Sequence, residues 1–249
     1  MRLSLSITLL LASAVALASC ASQPRASAPD QTRWTTIASS VQGRPLLAAT
    51  FGPSDAPRLL LVGGIHGDEP EGLFALDDLA VVFARQSHAH VRFIRDLNPD
   101  ATASRTRFNA NNIDLNRNFP ASNFTPAPQR GTRPLSEPES RALAAELDSF
   151  RPDLIVVFHS IRTGPFVNFD GPAERFAQAF AQAAATADPR WHVRPSMGYP
   201  TPGSLGTFAG IDRRIPILTI EFDRGQDEHS VRQSASLGVR AVLEALSRR

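Results

Sequence analysis

The sequence predicts a single α/β domain, a three-layer α/β/α arrangement around a mainly parallel mixed sheet. Short apolar runs alternate with longer amphipathic segments, which is the pattern of strands alternating with helices. The runs contain few polar residues, as expected of strands that helices cover on both faces. The chain has 249 residues, and about 220 of them remain beyond a signal-like start, enough for one full core.

Four apolar runs are the predicted buried strands: 59–62, 91–97, 154–158 and 217–222. Two earlier runs, 34–39 and 45–51, are separated by Gln42-Gly43 and predict an opening hairpin. Periodic apolar positions predict four helices: 69–85, 137–150, 173–187 and 229–248. Asp68 with Glu71, and Ser136 with Glu139, have the spacing of capping boxes at the first two helices. The stretch 98–134 predicts no regular element, and so long a loop in a compact domain is typical of a functional one.

Two histidines and an acidic residue follow two of the predicted strands. His66 and Glu69 come after strand 59–62, and His159 comes directly after strand 154–158. Ligands of such sheets bind beyond the carboxyl ends of the strands. Two imidazoles and one carboxylate are the protein ligands of hydrolytic zinc sites, which keep a position open for water. His66 alone fits a hydrogen-bonded loop histidine equally well, so the metal prediction depends on its companions.

The first companion is the dense polar segment 98–120, which contains Arg107, Asn116 and Arg117. Arginine carries a rigid fork of donors that suits carboxylates and developing oxyanions. A polar surface loop rich in turn formers is the alternative. Two arginines around an Asn-rich turn, downstream of a metal-ligand pair, favour a functional loop.

The second companion is Glu221, which interrupts the apolar run 217–222. A carboxylate is a poor core residue unless it faces a cavity or a partner. Beside an activated water, a buried carboxylate would be a natural general base. On an edge strand the same residue would simply point to solvent.

Taken in chain order, these segments resemble the zinc carboxypeptidases of peptidase family M14, over roughly residues 40–245. The matching segments are His66-x-x-Glu69, Asn98-Pro99-Asp100, Asp114-Leu115-Asn116-Arg117-Asn118-Phe119, His159-Ser160 and Glu221. The resemblance implies a zinc carboxypeptidase-like fold and a single Zn²⁺ per chain. The zinc ligands it implies are His66, Glu69 and His159.

The same resemblance implies roles for the remaining site residues. Glu221 would activate the water, and Arg107 would polarise the scissile carbonyl. Asn116 and Arg117 would grip the terminal carboxylate of the substrate. Tyr199, ahead of the turn Gly203-Ser204, would cap the site as a mobile tyrosine.

Residues 114–120 and 197–210 are similar to one compact branch of that family, the bacterial murein peptide amidases. Those enzymes cut the γ-D-glutamyl–diaminopimelate bond of cell-wall peptides, so the resemblance implies a cell-wall peptide or another short peptide as substrate. An ordinary carboxypeptidase is the nearest alternative, and Leu205 after the Gly-Ser turn would disfavour basic side chains there. A deacylase of the succinylglutamate desuccinylase and aspartoacylase type is a second alternative. A non-catalytic cell-wall-binding lipoprotein is the third.

Residues 1–19 are predicted to be a lipoprotein signal peptide. Arg2 precedes an uncharged apolar stretch, 3–18, that is short for a membrane span. The motif Leu17-Ala18-Ser19-Cys20 resembles the bacterial lipobox, in which Cys20 would be lipidated and become the first mature residue. The alternative is an ordinary cleaved signal with an incidental cysteine.

Residues 20–32 are predicted to be a flexible tether, and 33–249 the catalytic domain. The expected location is the bacterial cell envelope, with a lipid anchor at Cys20 in a membrane and the domain facing the periplasm or the exterior.

Charge and cysteine content narrow the possible partners. The formal net charge is +2, and the basic residues are all arginines, spread without a block. A nucleic-acid partner is therefore not expected. The chain has one cysteine, so it forms no internal disulfide.

Overall fold

The computed structural model describes residues 34–85 and 89–248. The predicted signal peptide, the tether and Cys20 lie outside the described residues.

Among the described residues, seven strands form one mixed sheet. They are β1 (Thr35–Ser39), β2 (Pro45–Phe51), β3 (Arg58–Val62), β4 (His90–Ile94), β5 (Leu154–Ile161), β6 (Phe166–Asp170) and β7 (Ile217–Asp223). Their order across the sheet is β1-β2-β4-β3-β5-β7-β6. The four central strands are parallel to one another, whereas the edges are antiparallel. The predicted α/β class with its parallel centre and opening hairpin is confirmed.

In the part of the chain that the structure describes, five α-helices accompany the sheet: α1 (Glu71–Arg85), α2 (Pro99–Ser104), α3 (Pro138–Phe150), α4 (Glu174–Ala184) and α5 (Glu228–Ser247). Successive residues of a strand point to opposite faces. Leu59 and Leu61 therefore join the core that contains residues of α1, α4 and α5. Leu60 and Val62 join the core that contains residues of α3. The sheet is thus covered on both faces, which gives the three layers.

Some boundaries differ from the sequence prediction. β4 ends at Ile94, and β5 continues to Ile161, so His159 lies within a strand instead of after it. β6 and the six-residue α2 were not predicted. α2 begins with Pro99 after an Asn98 cap, whose side chain accepts a hydrogen bond from the Ala101 amide.

Both predicted capping boxes are wrong. Glu71 accepts a hydrogen bond from the backbone of Gly225, and Glu139 accepts one from the backbone of Val41. Each carboxylate satisfies an amide from a distant segment instead of its own helix start. Neither contact is visible to a local pattern.

Within 34–85 and 89–248, no helix has both the length and the apolar character that crossing a membrane requires.

Candidate metal centre

The three predicted ligands meet at the carboxyl ends of β3 and β5. His66 and Glu69 lie in the loop between β3 and α1, and His159 lies on β5. One donor atom from each lies within 4.8 Å of the other two. The Nδ1 atoms of His66 and His159 lie 3.0 and 2.7 Å from the two carboxylate oxygens of Glu69. The three residues are only 3–5% exposed, so their convergence is a feature of the interior.

This donor set fits a zinc ion. Two imidazoles and one carboxylate match the protein ligands of catalytic zinc. Asp114 Oδ1 lies 3.0 Å from His66 Nε2. Such a carboxylate keeps the imidazole proton on Nε2 and leaves the lone pair of Nδ1 available to a metal ion. Nε2 of His159 is buried without a hydrogen-bond partner among the described residues.

The electrostatics also favour a positive charge at this point. Burial alone would lower the pKa of His66, but the carboxylates of Glu69 and Asp114 outweigh it and raise the pKa to about 9. Burial opposes ionisation of Glu69 too, yet His66 and His159 hold its pKa well below the usual range. Carboxylates packed around imidazoles stabilise a proton or a divalent cation between them.

The loop that carries His66 is held by specific backbone contacts. Gly64 has a φ of +64°, and a side chain there would collide with Asp96. The Asn98 side chain donates a 3.1 Å hydrogen bond to the Ile65 carbonyl. This explains the place of the Asn98 motif: it anchors the residue that precedes the ligand.

Gly67 makes the tightest approach in this loop, because a Cβ would collide with the Ala101 backbone of α2. We expect Gly67→Ala to lower the free energy of unfolding by about 1–3 kcal/mol and to weaken zinc retention, since the loop must shift. Chemical denaturation and zinc titration measure the two effects. Gly43→Ala is the control: its φ is +79° with open space around it, so it should cost about 1–2 kcal/mol with zinc affinity unchanged. Equal zinc affinity in both variants would show that the loop position does not matter.

Glu221 lies on β7 directly beside His159 on β5. β7 is flanked by β5 and β6, so the edge-strand alternative is wrong. Glu221 is 6% exposed, and burial, followed by the charge of Glu69, raises its pKa to about 8. Its surroundings therefore disfavour the ionised carboxylate when no cation is nearby.

The predicted substrate residues line the same pocket as the ligands: Arg107, Asn116, Arg117 and Tyr199. Arg107 donates to Asp114 Oδ2 at 3.0 and 3.1 Å and to Glu69 Oε1 at 3.3 Å. It is thereby tied to the carboxylate that orients His66. Tyr199 is 50% exposed.

The expectation that Leu205 disfavours basic side chains is wrong in its premise. Leu205 is 1% exposed and packs in the core on the α3 side of the sheet. The residues of this region that line the pocket are Ser204 and Gly206.

Asn116 and Arg117 are oriented differently from each other. The Asn116 side-chain oxygen accepts from the Leu205 amide at 2.9 Å, which leaves its NH₂ group for another acceptor. Arg117 donates to the Asn116 carbonyl at 2.7 Å. Among residues 34–85 and 89–248, no carboxylate forms an ion pair with Arg117. Burial lowers the pKa of the Arg117 guanidinium. The pocket thus contains a guanidinium that has room for an anion.

Sequence reasoning assigned no role to Asp114 or Arg224. Arg224 donates hydrogen bonds to Asp68 at 2.9 Å and to Glu69 Oε1 at 3.2 Å. The preceding residue, Asp223, forms an ion pair with Arg190 at 2.7 Å instead. The position of Asp114, two residues before Asn116, was a usable signal. The only signal in the sequence for Arg224 was its position shortly after Glu221.

Comparison with known proteins places the chain in a family. The sequence model of the M14 zinc carboxypeptidases matches residues 18–210. Murein peptide amidase A of Vibrio campbellii is 31% identical over 203 residues, which cover 75% of this chain and 78% of that protein. The protein of the same name from Escherichia coli K12 is 30% identical over 204 residues, which cover 74% of this chain and 78% of that protein.

Structural comparison leads to the same group. The crystal structure of murein-tripeptide amidase from Escherichia coli O157 aligns with a TM-score of 0.69 and 25% sequence identity. The alignment covers 90% of this chain and 96% of the other. The chain therefore belongs to the M14 family of zinc carboxypeptidases and is a hydrolase that acts on peptide bonds.

Proposed function

We propose that this protein is a zinc-dependent amidase that cuts a peptide bond next to a free carboxylate, and that its substrate is the γ-D-glutamyl–diaminopimelate bond of cell-wall peptides. The observation that carries the proposal is the convergence of His66, Glu69 and His159 beside the buried Glu221. Arg117 lines the same pocket without an ion-pair partner among the described residues. The cell-wall substrate is inferred from the names of the two relatives and of the structural neighbour.

His66, Glu69 and His159 would hold one Zn²⁺ per chain. Zinc, when bound, acts as a Lewis acid that polarises the scissile carbonyl and acidifies water. Asp114 orients His66 through its Nε2 atom. Arg107 neutralises Asp114 on its other side, so the pair holds the imidazole in one tautomer.

Glu221 would take the proton of the attacking water and pass it to the leaving amine. Its high pKa without a cation arises from burial and from Glu69. Because Glu69 would be one of the residues that hold the zinc, part of its repulsion on Glu221 would be offset in the loaded protein, which would favour the carboxylate form, the base.

The other pocket residues would position the substrate. Arg117 and the free NH₂ group of Asn116 would bind the carboxylate next to the scissile bond, which sets the register of the peptide. Arg107 would donate to the oxyanion, a contact often worth about 2.7–4 kcal/mol of barrier. Tyr199 would close over the bound peptide.

The direct test is hydrolysis of defined peptides by the zinc-loaded protein. L-Ala-γ-D-Glu-diaminopimelate and blocked α-linked dipeptides are incubated with it, and the fragments are identified by mass spectrometry. Release of diaminopimelate supports the proposal. Preferential release of C-terminal residues from α-linked peptides would favour the general carboxypeptidase, and no cleavage of any peptide would favour the non-catalytic wall-binding protein.

Asp114→Asn should weaken zinc binding roughly 10- to 100-fold, because the charge that supports His66 is lost. Asparagine keeps the size of the side chain and the oxygen that accepts from the Asn116 amide. Chelator competition measures the affinity. The matched control is Asp148→Asn, which removes a surface ion pair with Arg213 and should leave zinc binding unchanged. Identical affinities in the two variants would contradict the role of Asp114.

The proposal includes a lipid anchor at Cys20 and a location in the bacterial cell envelope. Both rest on the pattern of residues 1–20, and a cell-wall peptide is a substrate that such a location supplies.

A further inference from the structure

Arg224 follows β7 directly and connects two parts of the metal centre. Its guanidinium donates hydrogen bonds to Asp68 Oδ2 at 2.9 Å, to Glu69 Oε1 at 3.2 Å and to the Ser160 carbonyl at 3.2 Å. These acceptors belong to the loop between β3 and α1 and to strand β5. One side chain from the end of β7 therefore ties together the two segments that supply the three predicted zinc ligands.

The Glu69 carboxylate has different neighbours at its two oxygens. Oε2 lies 2.7 Å from His159 Nδ1. Oε1 lies 3.0 Å from His66 Nδ1 and accepts from two guanidiniums, those of Arg107 and Arg224, at 3.3 and 3.2 Å. Hydrogen bonds between a guanidinium and a carboxylate are stronger than those between neutral groups. The two arginines therefore restrict where this buried carboxylate can lie.

The two arginines have different roles. In the proposed function Arg107 donates to the oxyanion, and it also holds Asp114. A guanidinium that turns toward the substrate gives up part of its contact with Glu69. The other acceptors of Arg224 are Asp68 and a backbone carbonyl, both of which belong to the protein. The contact between Arg224 and Glu69 therefore does not depend on the substrate.

The guanidinium fork is needed for this set of contacts. Asp68 and Glu69 are neighbours in the sequence, and each accepts from a different terminal nitrogen of Arg224. Arginine presents its donors in a fixed, planar arrangement, whereas lysine carries one ammonium on a flexible stem. A lysine at this position would keep the positive charge but would lose the fixed arrangement of donors.

The residue after Arg224 adds a backbone contact to the same loop. The Gly225 amide donates to Glu71 Oε1 at 2.6 Å, and Glu71 begins α1 shortly after Glu69. Gly225 has a φ of +82°, a conformation that favours glycine. The turn after β7 thus holds the metal loop at two points, through one side chain and through one backbone amide.

We propose that Arg224 is a positioning residue of the metal centre: it keeps the Glu69 carboxylate in the orientation that binds zinc while Arg107 is engaged with the substrate. The inference rests on the proposed function and deepens it, because it assigns the orientation of a ligand to a residue outside the ligand motifs. Arg224 acts through Glu69 and is neither a ligand nor a base.

A purely electrostatic effect of Arg224 would have the opposite sign. A guanidinium repels a divalent cation nearby, so removal of its charge would tighten zinc binding if charge alone mattered. In that case Arg224→Gln would bind zinc more tightly than the wild type, and Arg224→Lys would bind it equally well. The positioning role predicts weaker binding in both variants, because neither side chain keeps the fork.

Zinc affinity, measured by chelator competition, distinguishes these two effects. We expect a loss of roughly 10- to 100-fold in Arg224→Gln, the usual effect of removing a group that orients a metal ligand. Arg224→Lys should also lose affinity, although less. Arg190→Gln is the matched control, because Arg190 pairs at the surface with Asp188 and with Asp223, the residue before Arg224. Its zinc affinity should equal that of the wild type.

Cobalt(II), added in place of zinc, gives a second readout, because its visible absorption depends on the arrangement of its ligands. A changed cobalt spectrum in Arg224→Lys, with the wild-type spectrum in Arg190→Gln, supports the proposal. Tighter zinc binding by Arg224→Gln overturns it. So does a lower free energy of unfolding of the metal-free variants with unchanged zinc affinity, since Arg224 would then only stabilise the fold. Both readouts use the metal alone, so they remain decisive even if no cell-wall peptide is cut.

Discussion

Glu221→Gln is expected to reduce kcat by about 10²- to 10⁴-fold while zinc content and melting temperature stay near the wild-type values. Glutamine has the size of glutamate but cannot take a proton from water. The position is buried, and burial raises the pKa of Glu221, which means that the ionised carboxylate is costly there. Its replacement by a neutral group should therefore not destabilise the fold. Peptide hydrolysis, metal analysis and thermal unfolding measure the three quantities.

Glu69→Gln is the matched comparison, because it makes the same chemical change at another buried glutamate of the site. Glu69 lies within hydrogen-bond distance of both imidazoles, so this variant should lose zinc together with activity. If Glu221→Gln also loses its zinc, Glu221 is a ligand and not the base. Hydrolysis at a nearly normal rate by a zinc-loaded Glu221→Gln protein would remove its role altogether.

Arg117→Ala is expected to lower kcat/KM roughly 30- to 1,000-fold for peptides with a free carboxylate next to the scissile bond, mainly through KM. Loss of one partner from a desolvated charge pair costs about 2–5 kcal/mol, and the expected loss corresponds to about 2–4 kcal/mol, because the pocket is open to solvent. The same peptide with that carboxylate converted to an amide should be cut equally slowly by the wild type and the variant. Steady-state kinetics on the two peptides gives the comparison.

Arg141→Ala is the control for Arg117→Ala. Arg141 donates to the Leu135 and Ser136 carbonyls at the surface, so its removal should leave the cleavage of both substrates unaffected. If Arg117→Ala slows the amidated peptide as much as the free one, the guanidinium does not recognise the carboxylate and the anchor lies elsewhere.

The central strands were predictable because buried parallel strands are continuous apolar runs. Segments 59–62, 154–158 and 217–222 are short runs of this kind, which favours a strand over a helix. β6 was missed for the opposite reason. Its sequence, Phe-Val-Asn-Phe-Asp, places Asn168 and Asp170 where a core strand would be apolar. Those two polar residues face the pocket, so the feature that hid the strand is part of the candidate site.

The ligands could be named from the sequence because each one stands in a short motif at the end of an apolar run, and the chain order of the motifs carries the resemblance. The partners of those ligands could not be named. His66 contacts Asp114 across 48 positions, and Glu69 contacts Arg224 across 155. Such pairs depend on how the loops pack, and no local spacing encodes it.

Apolar periodicity and motif spacing are local properties, so the α/β class, the donor set at the strand ends and the family could be inferred from the chain alone. The packed structure was needed to place Glu221 beside His159, to bury Leu205 in the core and to bring Asp170 to the same pocket. Burial and the presence or absence of a partner are properties of the packed chain: they depend on which distant side chains reach the same place.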